Sequence, residues 1–150
     1  MKSVFDQNDA KEIISRINKL EQTTQGLWGK MNVSQMLAHC NVTYEHVYEN
    51  KYAKPGFLKG LLLKWFVKPI VVGDKPYAKN SRTSPEFLMT DKKEFEKEKS
   101  RLIDYINKTR ELGESFFENK EASSFGNLTA KEWNNMFYKH LDHHLGQFGV

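Results

Sequence analysis

Three times in this chain a capping residue is followed, three positions later, by Gln or Glu and then by apolar residues at helical spacing: Asn32 with Gln35, Asp91 with Glu94, and Thr129 with Glu132. Such a reciprocal pair satisfies backbone N–H groups that the first turn of a helix leaves without partners, so each pair marks a helix start. The helix after Asn32 carries Val33, Met36, Leu37, Cys40, Tyr44 and Val47 on its apolar face, and should stop before Lys54-Pro55-Gly56. The helix from Asp91 presents Phe95, Leu102, Ile103 and Ile106 and should stop at Gly113. The helix after Thr129 runs to about Gln147. A first helix, from about Asp9 to Glu21, has Ile13, Ile14, Ile17 and Leu20 at helical spacing, with Asn8 or Asp6 as its cap.

Between the second and third long helices lies a long connection. Phe57 to Val67 reads as an extra short apolar helix with interspersed lysines, closed by Pro69. Ile70 to Pro85 reads as turns and loop, and Phe125 to Leu128 as a connector. No segment reads as a convincing strand. The simplest architecture for 150 residues is therefore one all-α domain, residues 1–150, with four long helices packed antiparallel as a bundle.

Composition narrows the function classes. The net charge of +4 comes from mixed Lys and Glu, as in residues 92–99, which reads as a solvated helix face and argues against a nucleic-acid partner. The single cysteine, Cys40, allows no internal disulfide and no zinc ribbon, and it faces the core. No apolar run approaches the ~20 residues of a membrane span, and the N-terminus lacks the apolar core of a secretory signal. A cytoplasmic location without integral membrane contact is the expectation.

All five histidines fall on two helices: His39 and His46 on the second long helix, and His140, His143 and His144 on the last. On a wheel of ~100° per residue, His140 and His144 lie in the middle of the face that carries Trp133 and Phe137, and His143 lies at its edge. Two histidines four apart place their rings one turn apart on one face, close enough to chelate one ion. On the second helix, His39, Thr43 and His46 share a flank of the apolar arc, and spacing alone leaves His39 and His46 as alternatives for a third ligand. Gln147, three residues from His144, is placed to hydrogen-bond a ligand or simply to end the helix. Tyr44 is placed to donate to a bound substrate or to pack in the core. Asp142 points away from the histidine face.

The segment Trp28-Gly29-Lys30-Met31-Asn32-Val33-Ser34-Gln35-Met36-Leu37-Ala38-His39 resembles the second-helix motif of the DinB/YfiT-like superfamily. Tyr138-Lys139-His140-Leu141-Asp142-His143-His144-Leu145-Gly146-Gln147 resembles its last-helix motif. Phe125-Gly126-Asn127-Leu128-Thr129 and Lys79-Asn80-Ser81 are similar to an uncharacterised branch, a domain of unknown function. The resemblance implies a four-helix bundle holding a divalent metal on His39, His140 and His144, with His39 taken over His46. Leu145 stands where many members have arginine, and the apolar stretch from Phe57 to Val72 is an addition to the better-known pattern.

Three histidines leave a coordination position open, which is the arrangement of catalytic rather than structural sites. The expected activity is that of a metal-dependent transferase or hydrolase acting on a small molecule, with a low-molecular-weight thiol or water activated at the metal. Zinc and nickel head the accepted ions, with manganese or iron also compatible with imidazole. The alternative is a non-catalytic metal-binding or interaction module whose apolar helix 57–67 makes a homodimer or membrane-surface contact; that helix is otherwise a lid on the bundle.

Overall fold

The computed structural model describes residues 1–49 and 51–150. Its long elements begin where side chains can cap them. Helix α1 (Gln7–Asn18) starts at Asp6, whose carboxylate accepts from the N–H groups of Asn8 and Asp9 at 2.8 and 3.0 Å. Helix α2 (Val33–Tyr48) and helix α6 (Ala130–Gln147) both start at complete capping boxes, Asn32 with Gln35 and Thr129 with Glu132.

The third box does not form. Helix α5 (Phe95–Phe117) starts with Glu94 at its cap position and with no side-chain cap. Asp91 is engaged elsewhere: its carboxylate pairs with Lys93 at 2.9 Å, and its carbonyl accepts from Gln35 in the first turn of α2. Gly113 interrupts α5 with φ +69° and ψ 175°, a conformation that glycine tolerates without the Cβ clash of other residues. A last helical turn then carries Phe117 into the core.

The long connection differs from its expected form. It is helical from Phe57 to Val72, as α3 (Phe57–Leu62), a π-helical stretch (Leu63–Val67) and α4 (Lys68–Val72). Pro69 therefore does not close the helix; it sits in the first turn of α4. The π stretch widens the turn before it, with the Lys68 N–H bonded to the Leu63 carbonyl, and so removes the clash a proline ring makes inside a regular α-helix. A 3-10 turn follows at Pro85–Phe87. The connector before α6 also proves to be more than a loop. Strands β1 (Lys120–Ala122) and β2 (Gly126–Leu128) pair antiparallel, Lys120 with Leu128 and Ala122 with Gly126. Strands of three residues are too short to show the alternation by which strands are recognised.

The chain is thus mostly helical, and the four long helices pack on one another. Helix α2 touches both α5 and α6. Its burial extends past the apolar face to His39, Asn41, Thr43 and Glu45, so both of its polar flanks are inside the protein. The aromatic core lies between α2 and α6, where Tyr44 stacks on Phe137 and Phe137 stacks on Trp133. Helix α6 also anchors the long connection. The Lys139 ammonium donates to the carbonyls of Ile70 and Gly73, and the Asn135 amide donates to the Val72 carbonyl and to Asp74. These bonds satisfy carbonyls at the end of α4 that have no partners within a five-residue helix. No helix among the described residues is long and apolar enough to cross a membrane.

Candidate metal centre

His39 sits in the second turn of α2, and His140 and His144 lie one turn apart on α6. One ring nitrogen from each of the three lies within 4.8 Å of the other two. His39 Nε2 and His140 Nε2 are 2.9 Å apart, and the His39 and His144 ring centroids 4.5 Å apart. His39 and His144 are buried, while His140 keeps a partly accessible edge.

Each ring is held from behind at Nδ1. His39 Nδ1 lies 2.8 Å from the Phe87 carbonyl, which only accepts, so Nδ1 carries the proton and Nε2 presents a lone pair. His144 Nδ1 lies 2.8 Å from Gln147 Oε1. The other end of that amide donates to the Trp28 carbonyl at 2.7 Å, which fixes Oε1 as the atom facing the ring. His144 is therefore in the same tautomer as His39. His140 Nδ1 lies 3.1 Å from Thr43 Oγ1, a hydroxyl that can accept or donate. The arrangement of protein oxygen, Nδ1–H and free Nε2 is the one metal-binding histidines adopt, because it sets the tautomer and the direction of the lone pair.

All three rings are biased to the neutral form. Burial lowers the pKa of His39, with a smaller opposing effect from the bond to Phe87. Burial, and then the neighbouring charges that His144 and His39 would carry, hold His140 well below its ordinary value. Burial and His39 push His144 down to about 3, against a smaller opposing effect from Gln147. Nε2 of His39 and His144 presents a lone pair to the cluster, and His140 presents one there in the tautomer that donates from Nδ1 to Thr43. That donor chemistry fits a borderline divalent metal, which takes imidazole readily.

The long connection roofs the cluster. Phe87 packs edge-on against His39 and His140, and Tyr77 packs edge-on against His140 and His143. Gly29 makes the Gln147 contact possible. Its φ is +84°, and a Cβ there would lie 2.4 Å from the Gln147 amide nitrogen.

The remaining candidates fall outside the cluster. His46 stacks on Tyr52 and on Phe87 instead of reaching the other histidines. His143 is half-buried and packs edge-on against Trp28 and His144. Tyr44 is buried between Tyr105 and Phe137, and its hydroxyl has no partner among the described residues. Cys40 is buried, contacts Met36 sulfur at 3.8 Å, and burial pushes its thiol pKa up, which makes it a poor nucleophile. Asp142 is exposed and pairs with Arg16 at 2.7 Å. Among the supporting groups, Thr43 was legible on the same flank as His39, four residues on. The carbonyls of Phe87 and Trp28 carry no side-chain signal, and only the fold brings them to the rings.

A family model described as a protein of unknown function (DUF1569) matches residues 2–149. No curated protein and no solved structure matches the chain.

Proposed function

The chain belongs to the DUF1569 family, and from the chemistry of its own residues we propose that it is a metal-dependent enzyme of the DinB/YfiT-like type, built on a four-helix bundle. His39, His140 and His144 hold the ion. The carrying observation is that Nδ1 of all three rings is engaged by a protein oxygen while one ring nitrogen of each lies within 4.8 Å of the other two. A divalent ion there supplies Lewis acidity that lowers the pKa of a thiol or water at its open position.

This chain's own residues do the rest. Gln147 and the Phe87 carbonyl hold the rings of His144 and His39 in the binding tautomer. Thr43 can donate to His140 Nδ1 or accept from it, so it accommodates His140 either with or without a proton on Nε2. Phe87 and Tyr77 cover one side of the cluster with aromatic surface, which keeps bulk water off the histidines. The partly accessible edge of His140 is where a small substrate enters. A low-molecular-weight thiol or water is the co-reactant, and the reaction class is transfer or hydrolysis. Zinc and nickel suit three imidazoles best, with manganese and iron as further candidates.

Elemental analysis of protein purified without a histidine tag tests the reading. One divalent ion per chain is expected, and His144→Ala should lose it while keeping the helical circular dichroism of the parent. A folded His144→Ala variant that retains full metal would overturn the ligand set.

A further inference from the structure

The segment from Phe57 to Val72 is amphipathic in the inverted sense. Leu63, Val67, Val71 and Val72 turn toward the protein, and Lys139 and Asn135 pin its end to α6. On the outer side, Phe57, Leu58, Leu62, Trp65, Phe66 and Ile70 are each more than half exposed. Scattered exposed apolar residues are ordinary, whereas six large ones on one continuous helical face mark an interaction surface. Lys59 and Lys64 are exposed among and beside these residues.

Charge selects the occupant. From Lys51 to Gly73 the chain carries five lysines (51, 54, 59, 64 and 68) and no acidic residue. Lys51, Lys54 and Lys68 are paired with Glu45, Glu121 and Glu132, Lys59 reaches Glu86 only at 4.0 Å, and Lys64 has no ion-pair partner among the described residues. A two-fold contact between copies would set this face against itself and bring these lysines together without carboxylates to meet them. An anionic lipid surface instead accepts the aromatic and leucine side chains among its acyl chains, while the lysines reach its headgroups.

We propose that α3, the π stretch and α4 form an in-plane anchor by which the protein docks on anionic membrane surfaces. The anchor is independent of the metal, since its residues are separate from the histidine cluster. It leads through residues 73–84 to the turn carrying Phe87, so docking sets the orientation of the roof over the histidines relative to the membrane.

Vesicle co-sedimentation of the full chain at low salt tests the proposal. Vesicles of phosphatidylcholine with phosphatidylserine should pellet the protein, and phosphatidylcholine alone should pellet far less. Lys64→Gln should weaken binding about fivefold. Leu62→Ser with Trp65→Ser should weaken it by more than about tenfold, since both side chains leave water on docking. These residues are exposed, so circular dichroism and metal content should match the parent. Absence of binding to the mixed vesicles overturns the proposal, as does undiminished binding by the double variant. So does a dimer in analytical ultracentrifugation that the double variant dissociates, which would give the face to a second copy. Because metal content is read separately, loss of vesicle binding and loss of the metal reading are distinguishable.

Discussion

Helix α2 carries two buried polar flanks, and they are satisfied in opposite ways. Toward α5, Glu45 and Glu98 are both buried, and Arg101 bridges them, with Nη2 at 2.5 Å from Glu45 and Nη1 at 2.9 Å from Glu98. Tyr52 and Lys51 also donate to Glu45, and the Asn41 amide donates to Glu98. Burial would raise the Glu45 pKa, but bonds from Tyr52, Arg101 and Lys51 outweigh it and hold the carboxyl below its ordinary range. Both buried carboxylates of this network therefore meet a cation. Toward α6, the three histidines carry no charge and have no carboxylate among them. Their outer nitrogens are satisfied, and their inner ones face each other. A closed network of this kind supports the fold, whereas three neutral imidazoles placed this close could hold a metal ion.

The contrast can be broken most forcefully at Arg101. Arg101→Leu leaves the buried Glu98 without its cation and Glu45 with Lys51 alone, and urea unfolding should show a loss of about 3 kcal/mol, at the lower end of the range because the guanidinium is partly exposed. Metal content should be unchanged. A variant as stable as the parent would show that the α5 flank is not a closed network.

Gln147→Leu probes the other flank. It removes the acceptor behind His144 Nδ1, and metal affinity measured by competition with a chelator should fall about 10–100-fold. Stability of the metal-free protein should change much less. Gly29→Ala should act in the same direction, since its Cβ would displace the Gln147 amide.

The two flanks also differ in their response to acid. His144 is pushed down to about 3 from its ordinary 6.5, so below pH 6.5 the unfolded chain binds a proton that the folded chain refuses. Stability therefore falls as pH drops from 6.5 toward 3, and His144 alone should remove about 2 kcal/mol from the metal-free protein between pH 7 and pH 5. In that interval Glu45, with its pKa held below the ordinary carboxylate range, stays ionised and adds little. Denaturant titrations at the two pH values, on parent and His144→Ala, check the difference: the variant should show the smaller drop.

The smallest effect is expected between the flanks, at Tyr44. Its buried hydroxyl has no partner among the described residues, so Tyr44→Phe should keep the stacking on Phe137 and raise stability by up to about 1 kcal/mol. Metal affinity should not move. A marked loss of metal would assign the hydroxyl a part in the site.

Local chemistry made much of the molecule readable in advance. The boxes at Asn32 and Thr129 and the apolar stripes of α1, α2, α5 and α6 specify helices because capping and helical periodicity act within a few residues. The same locality made the His140–His144 pair visible on one face of α6. Where another partner competed, the local signal was overridden. Asp91 had cap chemistry, but Lys93 and Gln35 claimed it. Pro69 had the chemistry of a helix stop, but the π stretch before it and the bonds from Lys139 kept the chain helical to Val72.

The sequence by itself determined the four long helices and which two α6 histidines share a face, since both follow from residues within a turn or two. Spacing left His39 and His46 open and the family resemblance implied His39; the tertiary structure brings His39 to that pair. Packing of α2 against α6 turns the His39 flank inward and leaves His46 stacked on Phe87. The tautomers were likewise decided by the fold. Two of the three oxygens that set them or the ring orientation belong to Phe87 and Gln147, and the Gln147 amide is itself aimed by the Trp28 carbonyl, 119 residues away along the chain. A backbone carbonyl is the same in every residue, so its place beside a ring is a consequence of how helices pack and not of which side chain it carries.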